Sequence, residues 1–389
     1  MVCAGFFSFS ALGVFLPVLP RYVERRLGGG DIAVGVAVGA MAVGAVILRP
    51  LAGRIGDRFG RKVLMVGGAA LLASMAAIAG LVEALPWLIG TRVLLGLGEA
   101  AFFIGATTMA TDLAPEDRRG EAVSYFSVAV WGGLAVGPVI GEMVLDHSHY
   151  ARVWITGAAL ALVAALISAT MKETRTVHAS GDLERGRLIH PAAIRPGVLL
   201  AATVVGTVGF GVFLPLYGPE VGIDDVGLVF LVNGVMVLSV RIFGARLPDR
   251  LGPVRAGSIA SSTTAVALGT IALWHSATGV YVGAILLAVG AAFGYPAFLV
   301  LALRDVPESQ RGSVVGTFSA FFDFASGTAG LLLGGIAAAT NYRGAFATAA
   351  VFALAAFVLL RSGFVGDRHA PVTSPTPVDP ALLEPPIPP

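Results

Sequence analysis

The chain has 389 residues, of which 56% are hydrophobic and 13% charged, and its formal net charge is +2. A soluble domain carries about a quarter charged residues, so this composition excludes a soluble globular protein. The single cysteine, Cys3, excludes an intramolecular disulfide and a multi-cysteine metal site. The sequence contains neither metal-ligand spacing of His, Cys and Asp nor a Gly-x-x-x-x-Gly-Lys-Ser/Thr loop. We therefore expect no metal, no cofactor and no ATP hydrolysis.

Twelve apolar runs are each long enough to cross a bilayer as a helix, and clusters of charged residues, Gly or Pro separate them. They predict an all-α membrane protein with twelve transmembrane helices in two pseudo-symmetric six-helix bundles. The predicted helices span residues 3–20, 31–52, 62–83, 86–111, 119–145, 150–170, 196–217, 225–246, 254–274, 278–303, 311–339 and 343–362.

An internal repeat relates the two halves of the chain. The segment from Arg49 to Lys62 recurs in part at an offset of 192 residues, beginning at Arg241. The same offset carries Phe126-Ser127 onto Phe318-Ser319, along with further pairs on either side. Because one register holds over roughly a hundred residues, we interpret the chain as a tandem duplication.

The basic residues predict the orientation of the chain. Twenty of the 26 Lys and Arg residues lie in the even-numbered connections, at the helix ends beside them or in the tail. By the positive-inside rule, these connections and both termini are cytoplasmic in a multi-pass inner-membrane protein. Arg greatly outnumbers Lys, which is typical of a GC-rich bacterial genome.

Composition also predicts the domain boundaries. An amino-terminal bundle (1–170) is followed by a polar, cytoplasmic linker (171–195), a carboxy-terminal bundle (196–363) and a Pro-rich tail (364–389). The tail has no hydrophobic periodicity and is expected to be disordered.

The connection after the second predicted helix carries the most specific motif, Gly53-x-x-x-Asp57-Arg58-x-Gly60-Arg61-Lys62. Its glycines, with Gly56, allow a tight turn, and Asp57 near the start of the third helix can accept hydrogen bonds from free N–H groups. This motif, its copy around Asp249 and Arg250, and the arrangement of six plus six helices resemble the major facilitator superfamily.

The resemblance implies a conformational latch, in which Asp57 and Arg61 form a charge cluster with Asp112 that locks the outward-facing state. In the second copy Pro253 replaces the basic residue, so we expect a weaker latch there. The alternative is that the basic residues of the motif only fix the topology.

The fourth predicted helix carries two charged residues, Arg92 and Glu99, separated by two helical turns and therefore on one face. The segment resembles the family's second motif, whose buried Arg is linked to proton transfer, although Leu95 stands where that motif has Gln. Glu99 falls near mid-bilayer, where an acid is costly to ionise unless it is paired or hydrated. We predict that Glu99, assisted by Arg92, exchanges a proton; the alternative is a structural hydrogen bond.

The fifth predicted helix contains Gly133-x-x-x-Gly137-Pro138-x-x-Gly141. Small residues at this spacing allow close helix contact, and Pro138 permits a bend. The segment resembles the third motif of the family, which marks proton-coupled exporters, except that Glu142 replaces a final Gly. Close packing alone is the alternative. Glu142, His147 and His149 are expected at the solvated outer end of this helix.

Two further features concern a central cavity. Asp323, in the eleventh predicted helix, is a second candidate for proton coupling, with helix packing as the alternative, and Asn233 is expected to join neighbouring helices. The resemblance implies a cavity lined chiefly by helices one, four, seven and ten. About half of the aromatic residues named on these helices are expected to face it, and the named residues are Phe6, Phe9, Phe15, Phe102, Phe103, Phe210, Phe213, Tyr217, Phe293, Tyr295 and Phe298.

So few polar groups favour a hydrophobic or amphipathic substrate, and two acids at mid-bilayer suit a cationic one. The sequence thus predicts a secondary transporter, not an enzyme, working as a monomer in the bilayer with a small-molecule substrate and protons as coupling ion. We expect an antiporter that exports drug-like compounds and confers multidrug resistance, with no nucleic acid as partner. The alternatives are a sugar or metabolite importer or exporter of the same fold, a lipid flippase, or a non-transporting sensor.

Overall fold

The computed structural model describes residues 1–115, 118–145, 149–174, 189–244, 250–307 and 310–365. Within these ranges twelve principal helices cross the molecule, as predicted. They are α1 (Val2–Val14), α2 (Asp31–Phe59), α3 (Arg61–Ala79), α4 (Leu85–Leu113), α5 (Arg119–Val144), α6 (Tyr150–Ala169), α7 (Pro191–Tyr217), α8 (Gly227–Phe243), α9 (Pro253–Leu273), α10 (Ala277–Leu303), α11 (Arg311–Ala339) and α12 (Tyr342–Arg361). The described residues contain no strands.

Among the described residues, eleven spans are long and apolar enough to cross a membrane. The first runs from Val2 to Arg26, because α1 is followed by a short helix, Val18–Arg21, and a π-helical turn, Tyr22–Arg26. The remaining helix, α8, is a shorter apolar helix of 17 residues. A multi-pass membrane protein follows from these spans.

Three predicted boundaries are corrected. The first helix is interrupted after Val14, because Pro17 has no N–H to donate and the carbonyl of Gly13 accepts from Leu16 instead. The second helix continues to Phe59, so most of the predicted connection is helical and only Gly60, with φ +105°, makes the turn. The seventh helix begins at Pro191, where Pro fits the first helical turn, so the linker ends before the predicted position.

The predicted duplication is visible in the helix packing. In the amino-terminal half α1 packs on α5 and α6, α2 on α4, and α3 on α4 and α6. In the other half α7 packs on α11 and α12, α8 on α10, and α9 on α10 and α12. Each of these contacts in one half therefore recurs six helices later. Most of residues 171–195 and nearly all of the predicted tail lie outside the described residues.

Two helix pairs, α2 with α11 and α5 with α8, join the bundles. We call these the α2–α11 and α5–α8 interfaces, and the odd-loop side is the side where α1 connects to α2. Towards that side α2 and α11 approach very closely, because a β-carbon on Gly39 would overlap the carbonyl oxygen of Gly327, and one on Gly35 that of Gly330. The bundles are thus in close contact on the odd-loop side of the molecule.

A buried ion pair lies on the same odd-loop side, where the two bundles meet. Arg21 Nη1 lies 2.8 Å and 2.9 Å from the two carboxylate oxygens of Glu142, and Arg21 Nε donates to the carbonyl of Pro215 in the other bundle at 3.3 Å. The Glu142 side chain is only 8% exposed. The expectation of a solvated Glu142 is therefore corrected, since Arg21 provides its counter-charge. His149 is exposed, and His147 lies outside the described residues.

Candidate functional site: a charged cavity between the bundles

A cavity of about 360 Å³ lies between the bundles. Its wall comes chiefly from α1, α2, α5, α7, α8 and α11, whereas α4 contributes only Arg92 and Glu99 and α10 only Ala291. The predicted prominence of α4 and α10 is corrected. Helix α4 lies behind α2, since a β-carbon on Gly96 would overlap the carbonyl oxygen of Met41. The wall is mostly apolar and contains four ionisable side chains, those of Arg49, Arg92, Glu99 and Asp323.

The centre of the site is a cluster of Arg49, Glu99 and Asp323, which we call the acid cluster. Arg49 Nε lies 2.9 Å from Asp323 Oδ2 across the α2–α11 interface. Arg49 Nη2 lies 3.9 Å from Glu99 Oε1 in its own bundle, and the guanidinium carbon is 5.3 Å from the ring centre of Phe103. Glu99 and Asp323 are 8% and 4% exposed. One arginine is therefore shared by two buried acids from different bundles.

Arg49 is the residue that sequence reasoning missed. We counted it among the basic residues beside an even-numbered connection. Because α2 continues to Phe59, Arg49 is about 15 Å inside the end of its helix rather than in a connection. One signal for this role was present in the sequence. Arg49 lies within a predicted apolar helix, and the chain has two intramembrane acids that need a counter-charge.

Arg92 has a different environment. Its Nε donates to the carbonyl of Ala37 at 3.3 Å and its Nη2 lies 3.6 Å from the sulfur of Met41. No ion pair joins it to a carboxylate among the described residues. The residue is 6% exposed and lines the cavity. The cation beside Glu99 is thus Arg49 rather than Arg92, which the sequence had paired with it.

The repeat places a second arginine, Arg241, at the position of Arg49. Its guanidinium carbon lies 4.5 Å from the ring centre of Trp131, across the α5–α8 interface, and Nη2 lies 3.5 Å from the carbonyl oxygen of Ala291. Trp131 and Ala291 are the repeat positions of Asp323 and Glu99. The second half therefore reproduces the geometry of the acid cluster without either acid.

Comparison with known proteins identifies the family. The model of the Major Facilitator Superfamily matches residues 1–330 and 225–385. The chain belongs to the Major Facilitator Superfamily. It is accordingly a membrane transporter for small molecules, and this family is not a class of enzymes.

Curated relatives of this MFS protein cover most of both chains. An uncharacterized MFS-type transporter of Salmonella typhimurium is 29% identical over 365 residues, which are 90% of this chain and 92% of the relative. Uncharacterized MFS-type transporters of Burkholderia mallei and Burkholderia pseudomallei are 27% identical over 372 residues, 92% of this chain and 90% of each relative.

Solved structures share the MFS fold at low identity. A POT family transporter in complex with a thioalcohol-conjugated peptide has a TM-score of 0.78 at 13% identity, covering 93% of this chain and 95% of that one. A bacterial homolog of the human lysosomal transporter Spinster, inward-facing and unoccupied, has a TM-score of 0.75 at 16% identity, covering 94% of each chain. The nucleoside transporter NupG has a TM-score of 0.73 at 15% identity, covering 93% of this chain and 98% of that chain. These likenesses establish the fold alone.

The predicted latch of this MFS chain is partly described. Arg61 Nε lies 3.2 Å from Asp112 Oδ2, and Arg61 Nη1 donates to the carbonyl of Gly56 at 2.8 Å. This pair is present although the bundles are in close contact on the odd-loop side. In the second copy Arg250 is exposed and Asp249 lies outside the described residues.

The free N–H groups at the start of α3 bond to an acid that we did not predict. The backbone N–H groups of Arg61 and Lys62 donate to Glu173 Oε1 at 2.9 Å and Oε2 at 3.1 Å. Asp57, expected in this role, falls instead in the last turn of α2, and its side chain, like the surroundings of Gly53, lies outside the described part of the chain. Arg58 lies over the ring of Phe59. Glu173 therefore caps α3 from the start of the linker.

The glycines of the third motif pack against α1. A β-carbon on Gly133 would lie 2.6 Å from the carbonyl oxygen of Phe6, and one on Gly137 would lie 2.6 Å from that of Ser10. Gly141 faces Val14 in the same way, and Pro138 lies beside Gly13. The predicted close helix contact is thus present within the amino-terminal bundle. The association of the motif with antiport remains a prediction.

The predicted cavity aromatics fall into two groups. Phe9, Phe15 and Phe210 line the cavity. The others lie elsewhere: Phe103 lies beside Arg49, and Phe6 is partly buried next to Gly132 of α5. The rest lie in the packed interiors of the bundles, and these residues are Phe102, Phe213, Tyr217, Phe293, Tyr295 and Phe298. The cavity also contains aromatic residues that we did not predict, namely Trp131, Phe230 and Phe322. The helical period of the sequence could not distinguish the two groups, because the residues of both groups face other helices.

Asn233 performs its predicted packing role. Its Nδ2 donates to the carbonyl of Ala284 at 2.8 Å and so joins α8 to α10. It also lines the cavity.

Proposed function

We propose that this MFS transporter is a proton-coupled antiporter that exports drug-like, hydrophobic or cationic small molecules by alternating access. The observation that carries the proposal is the sharing of Arg49 between Glu99 and Asp323. The two acids and one arginine, all ionised, have a net charge of −1. A cluster with this charge at mid-bilayer is stabilised by one further positive charge.

That positive charge can be a proton or the cationic group of a substrate. If both compete for the same carboxylates, binding one favours release of the other, which is the requirement for antiport. The apolar cavity around the cluster supplies the surface for a hydrophobic body. The charge balance thus supports exchange of a cationic amphiphile for a proton.

The location of Asp323 links protonation to conformation. Arg49 belongs to one bundle and Asp323 to the other, so their ion pair is one of the contacts that hold the bundles together. Protonation of Asp323 removes the charge attraction across the α2–α11 interface. The balance between states then shifts towards the conformation in which this interface is open.

Two features outside the acid cluster would also take part in transport. The Arg61–Asp112 pair, with Asp57, would act as the latch that sets this balance, and the Gly133 to Gly141 stripe would let α1 move against α5. The protein would act as a monomer in a bacterial inner membrane with both termini in the cytoplasm, consistent with the positive-inside rule.

A sugar transporter of the same fold is the weaker alternative. The polar residues that line the cavity are few, and hydroxyl groups left without partners in an apolar cavity are costly. Counterflow of labelled sugars in vesicles would support this alternative, and its absence would support a hydrophobic substrate.

The test is transport of ethidium, a permanent aromatic cation, into vesicles with an acidic interior. We expect accumulation as protons leave, collapse of accumulation when the pH gradient is dissipated, and none in protein-free vesicles. Glu99→Gln should abolish the response to the gradient, whereas Glu83→Gln, at an acid 84% exposed, should leave it unchanged. Wild-type coupling in Glu99→Gln would contradict the role of this acid, and accumulation unaffected by the gradient would contradict proton antiport.

A further inference from the structure

Among the described residues no carboxylate pairs with Arg92, whereas two other arginines near the cavity, Arg21 and Arg49, each pair with an acid. Arg21 has both oxygens of Glu142, and Arg49 has Asp323 with Glu99. Arg92 contacts only a carbonyl at 3.3 Å and a thioether at 3.6 Å, and within the described ranges no carboxylate pairs with it. An arginine remains charged, so its burial without an anion is unfavourable.

The repeat shows that helix packing does not require this charge. Met41 and Arg92 correspond to Asn233 and Ala284 in the second half. There the neutral amide of Asn233 donates to the carbonyl of Ala284 at 2.8 Å, so the equivalent pair of helices packs at this position without a cation. The positive charge of Arg92 therefore needs an explanation other than contact between α2 and α4.

The cavity supplies that explanation, because Arg92 and the acid cluster both line it. Arg92 and Glu99 are separated by two helical turns, about 10 Å along α4. Apolar side chains such as Phe9, Phe15 and Phe210 form the wall around them. The cavity thus offers a fixed positive group, an apolar body and a region of net negative charge.

We propose that the substrate is a zwitterionic amphiphile whose carboxylate, or similar planar anionic group, binds Arg92 while its cationic group lies at Glu99 and Asp323. The cationic end rests on the proposed function above; the anionic end rests on Arg92 alone. A guanidinium can donate two parallel hydrogen bonds to a carboxylate; since Nε of Arg92 already donates to Ala37, the carboxylate would take N–H groups of Nη1 and Nη2.

The test compares norfloxacin, which carries a carboxylate and a piperazinium group, with norfloxacin ethyl ester, which lacks the carboxylate. Binding to the purified full-length protein is measured from the fluorescence of each compound. We expect the wild-type protein to bind norfloxacin more tightly than the ester. Arg92→Gln should weaken the binding of norfloxacin about tenfold or more and change the binding of the ester less than about twofold. Arg92→Lys should retain part of the preference, because it keeps the charge but not the planar donors.

The variants separate the anionic site at Arg92 from the cationic site at Glu99. Equal weakening of both compounds by Arg92→Gln, or no weakening of norfloxacin, would overturn the anionic site. Glu99→Gln should weaken both compounds, since both carry the piperazinium group. Because binding is measured without a pH gradient, a preference that depends on Arg92 would stand even if ethidium transport showed no proton coupling. Thermal unfolding of each variant confirms that the compared proteins are folded.

Discussion

The α2–α11 and α5–α8 interfaces occupy equivalent positions in the duplicated fold but differ in chemistry. Arg49 in the first meets a carboxylate, Asp323, at 2.9 Å, whereas Arg241 in the second lies over the ring of Trp131. A carboxylate loses its charge when it binds a proton, and an indole ring does not titrate. Of these two equivalent positions, only the one in the α2–α11 interface therefore holds a titratable group, and the proposed proton response is assigned to it.

The interfaces also differ at one pair of repeat positions. Gly39 and Gly327 meet in the α2–α11 interface, and their repeat positions are Leu231 and Ala135. Close approach occurs in both interfaces, because a β-carbon on Gly234 of α8 would overlap Ala135 of α5. At Gly39 and Gly327, however, the interface with the ion pair has no side-chain volume to adjust, while at the equivalent positions the other has a leucine and an alanine. This difference suits a titratable contact that opens and closes between rigid surfaces.

The strongest test of the comparison removes each arginine. Arg49→Gln leaves two buried acids without a counter-charge and should lower the free energy of unfolding by about 3 kcal/mol. Arg241→Gln removes a cation–π contact and should cost no more than about 2 kcal/mol. Thermal unfolding midpoints of the two variants, measured in the same detergent, show which substitution destabilises the protein more. Equal midpoints, or a lower one for Arg241→Gln, would contradict the difference between the interfaces.

A smaller effect is expected from Gly39→Ala. The added methyl group would overlap the carbonyl oxygen of Gly327, and overpacking of this kind costs roughly 1–3 kcal/mol. The closed α2–α11 interface should be disfavoured, with a lower unfolding midpoint and slower ethidium transport. Gly335→Ala is the matched control on α11, because no atom lies within 4 Å of its added β-carbon. A Gly39→Ala protein with the unfolding midpoint and the ethidium transport of the wild type would show that the close approach of α2 and α11 is not required.

The smallest expected effect, and the most specific, concerns Asp323→Asn and Trp131→Phe. Asp323→Asn preserves shape but cannot titrate, so accumulation of ethidium driven by the pH gradient should fall about tenfold, equivalent to about 1.4 kcal/mol. Trp131→Phe keeps an aromatic face under Arg241 and should change accumulation less than about twofold. Similar losses in both variants would mean that proton response is not confined to the α2–α11 interface.

Part of this site was accessible from the sequence. Glu99 and Asp323 were identified because an acid within an apolar run is costly and therefore informative. Their meeting with Arg49 was not predicted, since the repeat and the helical period do not specify which helix of one bundle faces which helix of the other. Glu173 was missed for a related reason: it caps α3 from a position 112 residues away from Arg61.

The sequence by itself determined the twelve helices, the duplication and the family, because apolar length, repeat offset and motif spacing are properties of the chain read in order. Only the tertiary structure decided which residues share the cavity. It turned Arg49 from a residue counted with the loops into the partner of two acids, moved most predicted aromatics into the bundle interiors, and left Arg92 without an acid among the described residues. The physical reason is that ion pairs and cavity walls depend on helix rotation and on backbone approach at glycines such as Gly39 and Gly96, and both are set by packing across the whole fold.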